Sequence, residues 1–597
     1  MWNIARVYLP FLFCFPFILC QHESVHVHSN AGNIIGFANT SSFKSIMYNV
    51  NNFLGIPYAE PPLGILRFAK PVKKARFTQA FSAIQYGPAC PQKAEFSQQW
   101  IPGKPMISED CLTLNIFAPA HAHNLAVMVW FHGGAFVIGQ SSIYDASTLS
   151  GFGNVVVVTV NYRLGPIGFL ATDDDTSKGN YGLWDQHMAL QWVHDNIASF
   201  GGDPNLVTVF GESAGGASSF FHATYPPNKG LIKRIISESG TAMCPWAYSE
   251  KATVGRYSKL LGMKLNCSVT TNVELVNCLR TKPFEELIAN AQVGTKEDEL
   301  YRPEWTPVVD GEFVKQLPPD TFLYPETMFS EGRATLADLD LLIGINDGDG
   351  GFITMVSLLP LVQSKITPNS TGLDIIDNYV TNSILTDRFG ATVDLLAYTM
   401  SFVYTRWSET QTNNTYLQKM LDMSSDYQFF MPAKISARAH AKTQSSGRNT
   451  YMYLFTHRSS YAHTIPWAPG AGHGDELAYV FGFPSSMQQG LNFKDTLQLD
   501  EVSLSEKIMT YWTNFAKTGN PNKPRAVPLI WPKFDLNSEY YMDLNTGLSI
   551  KSKMDATRTG FWTKFVPKAL KGVHNFHKSD SSSPPNTNTF VPSSVLG

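Results

Sequence analysis

One serine stands where the sequence could make it a nucleophile. Ser213 lies in "VTVFGESAGG", between Gly211 and Gly215 and directly after a run of β-branched residues. A strand that turns sharply into a helix exposes such a hydroxyl, and flanking glycines remove Cβ atoms that would clash there. A serine attacks a carbonyl carbon only with a base nearby, and the oxyanion that forms needs hydrogen-bond donors. The pattern favours acyl transfer, although a Gly-x-Ser-x-Gly sequence such as residues 211–215 also occurs by chance in loops.

A glycine-rich loop is a candidate source of those donors. The stretch "HGGAF", from His132 to Phe136, follows the apolar run "AVMVWF". Small residues at this position let backbone N–H groups point into a shared pocket. An ordinary glycine turn after a strand has the same composition, so both interpretations stay open at this point.

Apolar, β-rich runs recur along the chain and end in Gly, Ser, Asn, Asp or a charged residue. They are "AVMVWFHGG", "VVVVTVNYR", "LVTVFGES", "IKRIISESG", "LDLLIGIND" and "TYMYLFTHR". Helix-like stretches such as "LWDQHMALQWVHDNIASF" lie between several of them. Continuous apolar strands that alternate with helices predict an α/β fold with a mostly parallel central sheet and helices on both faces. Sites in such sheets form beyond the carboxyl ends of the strands.

Composition indicates a globular protein that acts on a small or neutral ligand. The chain has 597 residues, 44% of them hydrophobic and 16% charged, with a formal net charge of -3. This balance argues against disorder and against a nucleic-acid partner. No internal repeat or linker divides the body.

The two ends differ from the body. Arg6 precedes the apolar run "VYLPFLFCFPFILC", which is short for a membrane span and predicts a secretory signal peptide over residues 1–20. A retained membrane anchor is the alternative. Residues 571–597 are rich in Ser, Pro and Asn and are predicted to be disordered, which leaves residues 21–570 as the folded domain.

The cysteines and glycosylation motifs agree with a secreted, extracellular protein. Signal removal would leave five of the seven cysteines, and sequence spacing predicts two local disulfides, Cys90–Cys111 and Cys267–Cys278. Cys244 is then unpaired. Acceptor tripeptides for N-glycosylation begin at Asn39, Asn266, Asn369 and Asn413.

Several longer motifs carry a family resemblance over roughly residues 32–566. They include "FLGIPYAEPPLGILRF", "SEDCLTLNIF", "NYRLGPIGF", "GNYGLWDQ", "FGGDPNLVTVFGESAGG", "GINDGDGGF", "GAGHGDELAYVFG" and "YWTNFAKTGNPN". With them the chain resembles the type-B carboxylesterase and cholinesterase family, whose members have the α/β-hydrolase fold. The resemblance implies a secreted serine carboxylic ester hydrolase that forms an acyl-enzyme.

The resemblance also implies a catalytic triad. Ser213 takes the position of the nucleophile, His473 that of the general base and Asp349 that of the acid, where many members carry Glu. Serine, acid and histidine follow the chain order of α/β-hydrolases. Asp347 stands close enough to be the alternative acid. A histidine base predicts that activity falls as the pH drops through about 6 to 7.

Further residues follow from the same resemblance. The oxyanion donors would be the backbone N–H groups of Gly134, Ala135 and Ala214, with Ala135 where many relatives have a third glycine. Glu212 matches a buried glutamate beside the nucleophile, and Ser239 a serine that hydrogen-bonds near the triad.

Four other residues are expected to have structural roles. Arg67 with Glu109 and Arg163 with Asp185 resemble the ion pairs of the family. The C-terminal cysteine of cholinesterases is missing, so no disulfide-linked oligomer is expected.

The substrate is less determined. Trp100, within the predicted Cys90–Cys111 loop, resembles the cholinesterase tryptophan that stacks on a quaternary ammonium, and Phe352 matches another aromatic wall. Trp100 could equally pack on apolar surface, and "YRPEWTP" lacks the paired phenylalanines of a cholinesterase acyl pocket. A general carboxylesterase is therefore preferred, with a cholinesterase or a secreted lipase as alternatives.

Other classes of function fit the sequence less well. A non-catalytic adhesion protein of the neuroligin type normally lacks an intact nucleophile site, whereas all three triad positions are filled here. The paired histidines in "HVH" and "HAH" have chelating spacing, but such pairs are common in loops. We therefore expect no metal, no cofactor and a small ester as the partner.

Overall fold

A computed structural model describes residues 23–93, 106–294, 303–315, 333–351, 354, 394–410, 412–460, 468–483 and 498–569. Some predictions fall outside these ranges and stay predictions. They are the signal peptide, the C-terminal tail, Trp100, Phe352 and the glycosylation acceptor Asn369.

One sheet of thirteen strands organises the described residues. The strands are β1 (Ser24–Ser29), β2 (Gly32–Phe43), β3 (Ile46–Pro57), β4 (Phe81–Ser82), β5 (Thr113–Pro119), β6 (Leu125–Phe131), β7 (Val156–Val160), β8 (Gly202–Glu212), β9 (Arg234–Glu238), β10 (Asp340–Asn346), β11 (Thr450–Phe455), β12 (Tyr540–Leu544) and β13 (Ser549–Ser552). Their spatial order is β1-β2-β3-β5-β7-β6-β8-β9-β10-β11-β12-β13, and β4 pairs with β2. Every pairing from β7 through to β12 is parallel, whereas the pairings of β1, β2, β3 and β5 along this order and of β13 are antiparallel. The predicted α/β-hydrolase architecture with a mostly parallel centre is confirmed.

Helices connect the parallel strands. They are α1 (Ser147–Gly153), α2 (Gly165–Phe169), α3 (Tyr181–Asn196), α4 (Ala214–Thr224), α5 (Lys251–Lys264), α6 (Asn272–Thr281), α7 (Phe284–Ala289), α8 (Arg333–Ala337), α9 (Asp394–Tyr404), α10 (Asn413–Ser425), α11 (Met431–Thr443), α12 (Leu477–Phe481), α13 (Leu499–Thr518) and α14 (Ala556–Gly560). Two π-helical turns, Asp426–Phe430 and Phe561–Phe565, follow α10 and α14. None of the helices within the described ranges has the length and apolar character that crossing a bilayer requires.

The sheet is buried on both faces because its central strands alternate between two hydrophobic cores. In β6, Val129 and Phe131 belong to one core, and Met128 and Trp130 belong to the other. Helix α4 packs on the first face and α13 on the second. This arrangement explains why the strand sequences are continuous apolar runs without polar alternation.

The predicted disulfides Cys90–Cys111 and Cys267–Cys278 are both present, and Cys244 is a buried free thiol. The two pairings and the unpaired cysteine are therefore confirmed.

The glycosylation motifs differ in exposure. Asn266 is exposed, whereas Asn39 is partly buried and its amide donates to Ser147 Oγ at 3.4 Å. Asn413 begins α10. Asn266 is thus the more accessible of the two acceptors whose side chains are described.

A fully buried ion pair joins the segment after β7 to α3. Arg163 donates from Nε and from a terminal nitrogen to the two oxygens of Asp185, at 2.7 Å each, and neither side chain has exposed surface. Arg67 and Glu109 also pair, with Arg67 Nε 2.7 Å from Glu109 Oε1. Both pairs expected from the resemblance are formed.

We expect Asp185→Ala to lower the free energy of unfolding by about 3–5 kcal/mol, because it leaves the Arg163 guanidinium buried without a counter-ion. Asp195→Ala is the control, since Asp195 pairs with an exposed lysine and should cost less than about 1 kcal/mol. Urea unfolding of both variants measures the difference. Equal costs would contradict a structural role for the buried pair.

Candidate active site

Ser213 occupies a sharp turn between β8 and α4. Its φ of 56° and ψ of -122° lie in a region that non-glycine residues rarely adopt, and its N–H donates to Glu238 O at 2.9 Å. A Cβ on Gly215 would lie 1.9 Å from Phe131 O, so only glycine allows the helix to begin this close to β6. The strand, turn and helix predicted around the serine are the observed local structure.

The loops after β10 and β11 bring a carboxylate and an imidazole together. Because these strands are parallel neighbours, their carboxyl ends meet at one edge of the sheet. Gly348 N–H donates to Ala471 O at 2.9 Å and ties the two loops together. His473 Nδ1 lies 2.8 Å from Asp349 Oδ1, and Asp349 is completely buried. This contact fixes the orientation of the imidazole and places a proton on Nδ1.

The second aspartate of the motif points elsewhere. Asp347 accepts a hydrogen bond from Ala471 N–H at 2.7 Å, and its side chain is exposed. Asp349 also accepts from Asn346 N–H at 2.8 Å, which holds its other oxygen. Of the two aspartates, Asp349 is the one that contacts His473.

Glu212 faces the other nitrogen of the imidazole. Glu212 Oε1 lies 3.0 Å from His473 Nε2, at ion-pair distance but outside hydrogen-bond geometry. No hydrogen bond between Ser213 Oγ and His473 is formed within the described ranges. The imidazole is therefore held between two carboxylates, and Nε2 would have to turn toward Ser213 to accept its proton.

The electrostatics of this group follow from burial and from the two carboxylates. Burial alone would lower the pKa of His473, but the charges of Glu212 and Asp349 raise that pKa to about 9. Burial raises the pKa of Glu212 to about 7, with His473 opposing the increase and Asp349 adding to it. Together these shifts favour a protonated imidazole near neutral pH, in the range where Glu212 itself titrates.

The candidate oxyanion donors lie around the same turn. Gly134 and Ala135 are in the loop after β6, with φ of 106° and 54°, and Ala214 is the first residue of α4. A Cβ on the preceding Gly133 would lie 3.1 Å from Ser213 Cβ, so this loop abuts the serine. Within the described part of the chain, no backbone acceptor binds these three N–H groups. They are free to bind an oxyanion.

Ser239 does not make the hydrogen bond that the resemblance implied. It follows β9 with a φ of 46°, and its buried Oγ has no hydrogen-bond partner among the residues described. Its N–H donates to Gly344 O at 2.9 Å. The observed contact is thus a backbone bond between neighbouring strands.

Sequence reasoning missed Phe429, which contacts the imidazole. Phe429 lies in the π-helical turn between α10 and α11, and its ring centroid is 4.8 Å from that of His473. Trp246 packs beside it at 5.7 Å and donates from Nε1 to Gln428 O. Nothing in the local sequence links Phe429 to His473, since the contact depends on a helix irregularity.

Two buried glutamates were also missed. Glu476 follows His473 by three residues in "GHGDEL" and accepts a hydrogen bond from Asn346 Nδ2 at 2.5 Å. Glu238 ends β9 and accepts from Trp512 Nε1 at 2.9 Å. Burial raises the pKa of Glu238 to about 8 and that of Glu476 well above its usual value, and nearby carboxylates add to both increases. For Glu238 the sequence does carry a signal, because this carboxylate ends the predicted buried strand "IKRIISESG".

No group of three or more metal-ligating side chains occurs in the ranges that the structure describes.

Comparison with known proteins gives a family match and relatives of two kinds. The carboxylesterase family model matches residues 21–562. Human neuroligin-2 is 33% identical over 585 residues, covering 89% of this chain and 66% of the relative. Mouse neuroligin-3 is 31% identical over 627 residues, covering 95% and 72%. Bovine bile salt-activated lipase is 36% identical over 536 residues, covering 86% and 84%. The chain thus spans just under two thirds of the length of neuroligin-2.

Proposed function

This chain belongs to the carboxylesterase family, and we propose that it is a secreted serine hydrolase of carboxylic esters. The observation that supports this most strongly is the 2.8 Å contact between His473 Nδ1 and Asp349 Oδ1, with Nε2 of the same imidazole 3.0 Å from Glu212, the residue before Ser213 at the strand-to-helix turn. Free N–H groups on Gly134 and Ala135 beside that turn add to it.

Acylation would begin with proton transfer. His473 Nε2 takes the proton of Ser213 Oγ as this oxygen attacks the ester carbonyl, and Asp349 stabilises the imidazolium that forms. The three backbone N–H groups donate to the oxyanion of the tetrahedral intermediate. Collapse of that intermediate breaks the bond to the alcohol oxygen, which leaves with the proton from His473.

Deacylation repeats these steps with water. His473 removes a proton from a water molecule that attacks the acyl-enzyme, and then returns it to Ser213 as the acid is released. Glu212 would hold the imidazolium between cycles, and must release Nε2 when the base acts. This role follows from its position 3.0 Å from Nε2.

We expect the acid limb of kcat/KM to lie above the ordinary histidine pKa of 6.5. His473 must be neutral to act, and its raised pKa means that activity is present at high pH and lost as the pH falls from about 9 toward 6.5. This acid limb lies at higher pH than the range of about 6 to 7 that a histidine base alone predicts. Rates corrected for spontaneous hydrolysis, measured from pH 5 to 10, test it.

Glu212→Gln removes one of the two charges that raise the pKa of His473, so the acid limb should move to lower pH. Glu285→Gln, on the exposed surface of α7, is the matched control and should leave the limb in place. A limb that stays unchanged in Glu212→Gln would contradict the assigned electrostatics.

The class of ester is a separate part of the proposal. We infer a general carboxylesterase, with a choline esterase or a lipase as alternatives. Similarity to bile salt-activated lipase favours the lipase among these alternatives.

If Trp100 binds a quaternary ammonium, Trp100→Ala should erase a preference of roughly tenfold for a choline ester over its uncharged isostere.

A non-catalytic adhesion protein is the second candidate function, favoured by the similarity to neuroligin-2 and neuroligin-3. An adhesion protein of this kind would differ from the proposed hydrolase by turning over no ester. The contact of His473 with Asp349 on one side and with Glu212, the neighbour of Ser213, on the other argues for the hydrolase.

One experiment separates these functions. Purified protein is assayed on short aryl esters, choline esters with neutral isosteres, and long-chain triglycerides. We expect the highest kcat/KM on short neutral esters. Turnover of none of them, by folded protein, would leave the adhesion function.

An extracellular location is part of the proposal. The two disulfides and the similarity to an animal lipase support it.

A further inference from the structure

A cavity of about 420 Å³ contains charged groups that the proposed reaction does not use. Its charged lining residues are Asp347, Arg406, Asp422, Asp555 and Arg558. They come from the loop after β10, the turn that follows α9, helix α10, and the start of α14 with the residue before it. Ser213, Asp349 and His473 are not among the residues that line it.

The guanidinium groups of this cavity are already paired. Arg558 lies 3.2 Å from Asp426 and 3.6 Å from Asp422, and also contacts Asp555. Arg406 donates to Asp422 at 3.2 Å. Both cations are therefore neutralised by carboxylates around them.

Asp347 is the charged lining residue without a counter-ion. Its side chain is exposed, and within the described ranges no lysine, arginine or histidine forms an ion pair with it. The nearby Lys551 pairs with Asp543 at 2.6 Å. Solvent reaches this carboxylate, but the loops packed around it remove part of its hydration and raise the pKa of Asp347 to about 6, so it is still mostly ionised at neutral pH.

The other charged lining residues leave the cavity net negative. Its three carboxylates, Asp347, Asp422 and Asp555, outnumber its two guanidinium groups. A cation placed there would pair with Asp347 in a partly desolvated setting, where charge pairing is stronger than in water.

The cavity also has apolar walls. Val403, Leu421 and Pro469 line it, and its volume is in the range that holds small organic ligands. We propose that it is a binding site for a small organic ammonium, whose charged group pairs with Asp347 and whose apolar body packs on these three residues.

The test uses 2-phenylethylammonium as the probe and 2-phenylethanol as its neutral counterpart, with calorimetry on the full chain. We expect one saturable site per chain for the ammonium, and at least tenfold weaker binding to Asp347→Asn. Asp175→Asn, which alters a carboxylate with 83% exposure, is the matched control and should bind like the unmodified protein. Circular dichroism checks that the variants are folded.

A second comparison separates this cavity from the candidate active site. Glu212→Gln should leave ammonium binding within about twofold of the unmodified protein. Binding that is lost in Glu212→Gln but kept in Asp347→Asn would put the ammonium in the active site and overturn the proposal. Equal affinity for the alcohol, or no binding at all, would also overturn it.

Discussion

Ser213→Ala is expected to lower kcat/KM for a short aryl ester by about 10³-fold or more without changing the unfolding temperature. The substitution removes only Oγ, which makes no hydrogen bond within the part of the chain that the structure describes. The backbone bond from residue 213 to Glu238 O is kept. Stability should therefore be retained while the nucleophile is lost.

Ser219→Ala is the matched control for this change. Ser219 is buried in α4 and donates from Oγ to Gly215 O at 2.9 Å, one turn away from the site. Its loss should reduce activity by no more than a few fold. Residual activity of Ser213→Ala near that of the unmodified protein would show that another group attacks the ester.

The second large effect is expected for Asp349→Asn. An amide at this position cannot stabilise an imidazolium and favours the wrong tautomer of His473, so kcat should fall by about 10³- to 10⁴-fold with little change in KM. The buried carboxylate and its 2.8 Å contact with Nδ1 are the basis of this expectation.

Asp347→Asn separates the two neighbouring aspartates. Because Asp347 contacts Ala471 N–H and not His473, its change should leave kcat within a few fold. A greater loss in Asp347→Asn than in Asp349→Asn would mean that the acid has been assigned to the wrong residue.

Local sequence patterns were sufficient to predict the sheet and the turn at Ser213. Continuous apolar strand sequences indicate a sheet that is buried on both faces. The glycines around Ser213 indicate that the turn packs closely against β6. The disulfides followed from short sequence separations. Each of these features depends on residues near one another in the chain.

The features that were not predicted depend on distant contacts. Phe429 reaches His473 through a π-helical turn, and Glu212 faces Nε2 of the imidazole, an orientation that no spacing encodes. The raised pKa of His473 follows from two carboxylates on separate elements, Glu212 at the end of β8 and Asp349 in the loop after β10. Ser239 Oγ likewise has no hydrogen-bond partner among the described residues, which no local pattern predicts.

The most direct test of the proposed function is reaction with a fluorophosphonate, followed by intact-mass measurement and peptide mapping. The predicted result is one adduct per chain on the peptide that contains Ser213, and no adduct on Ser213→Ala. A folded chain that takes up no adduct, or takes it up equally in the Ser213→Ala variant, would contradict the assignment of Ser213 as the activated nucleophile.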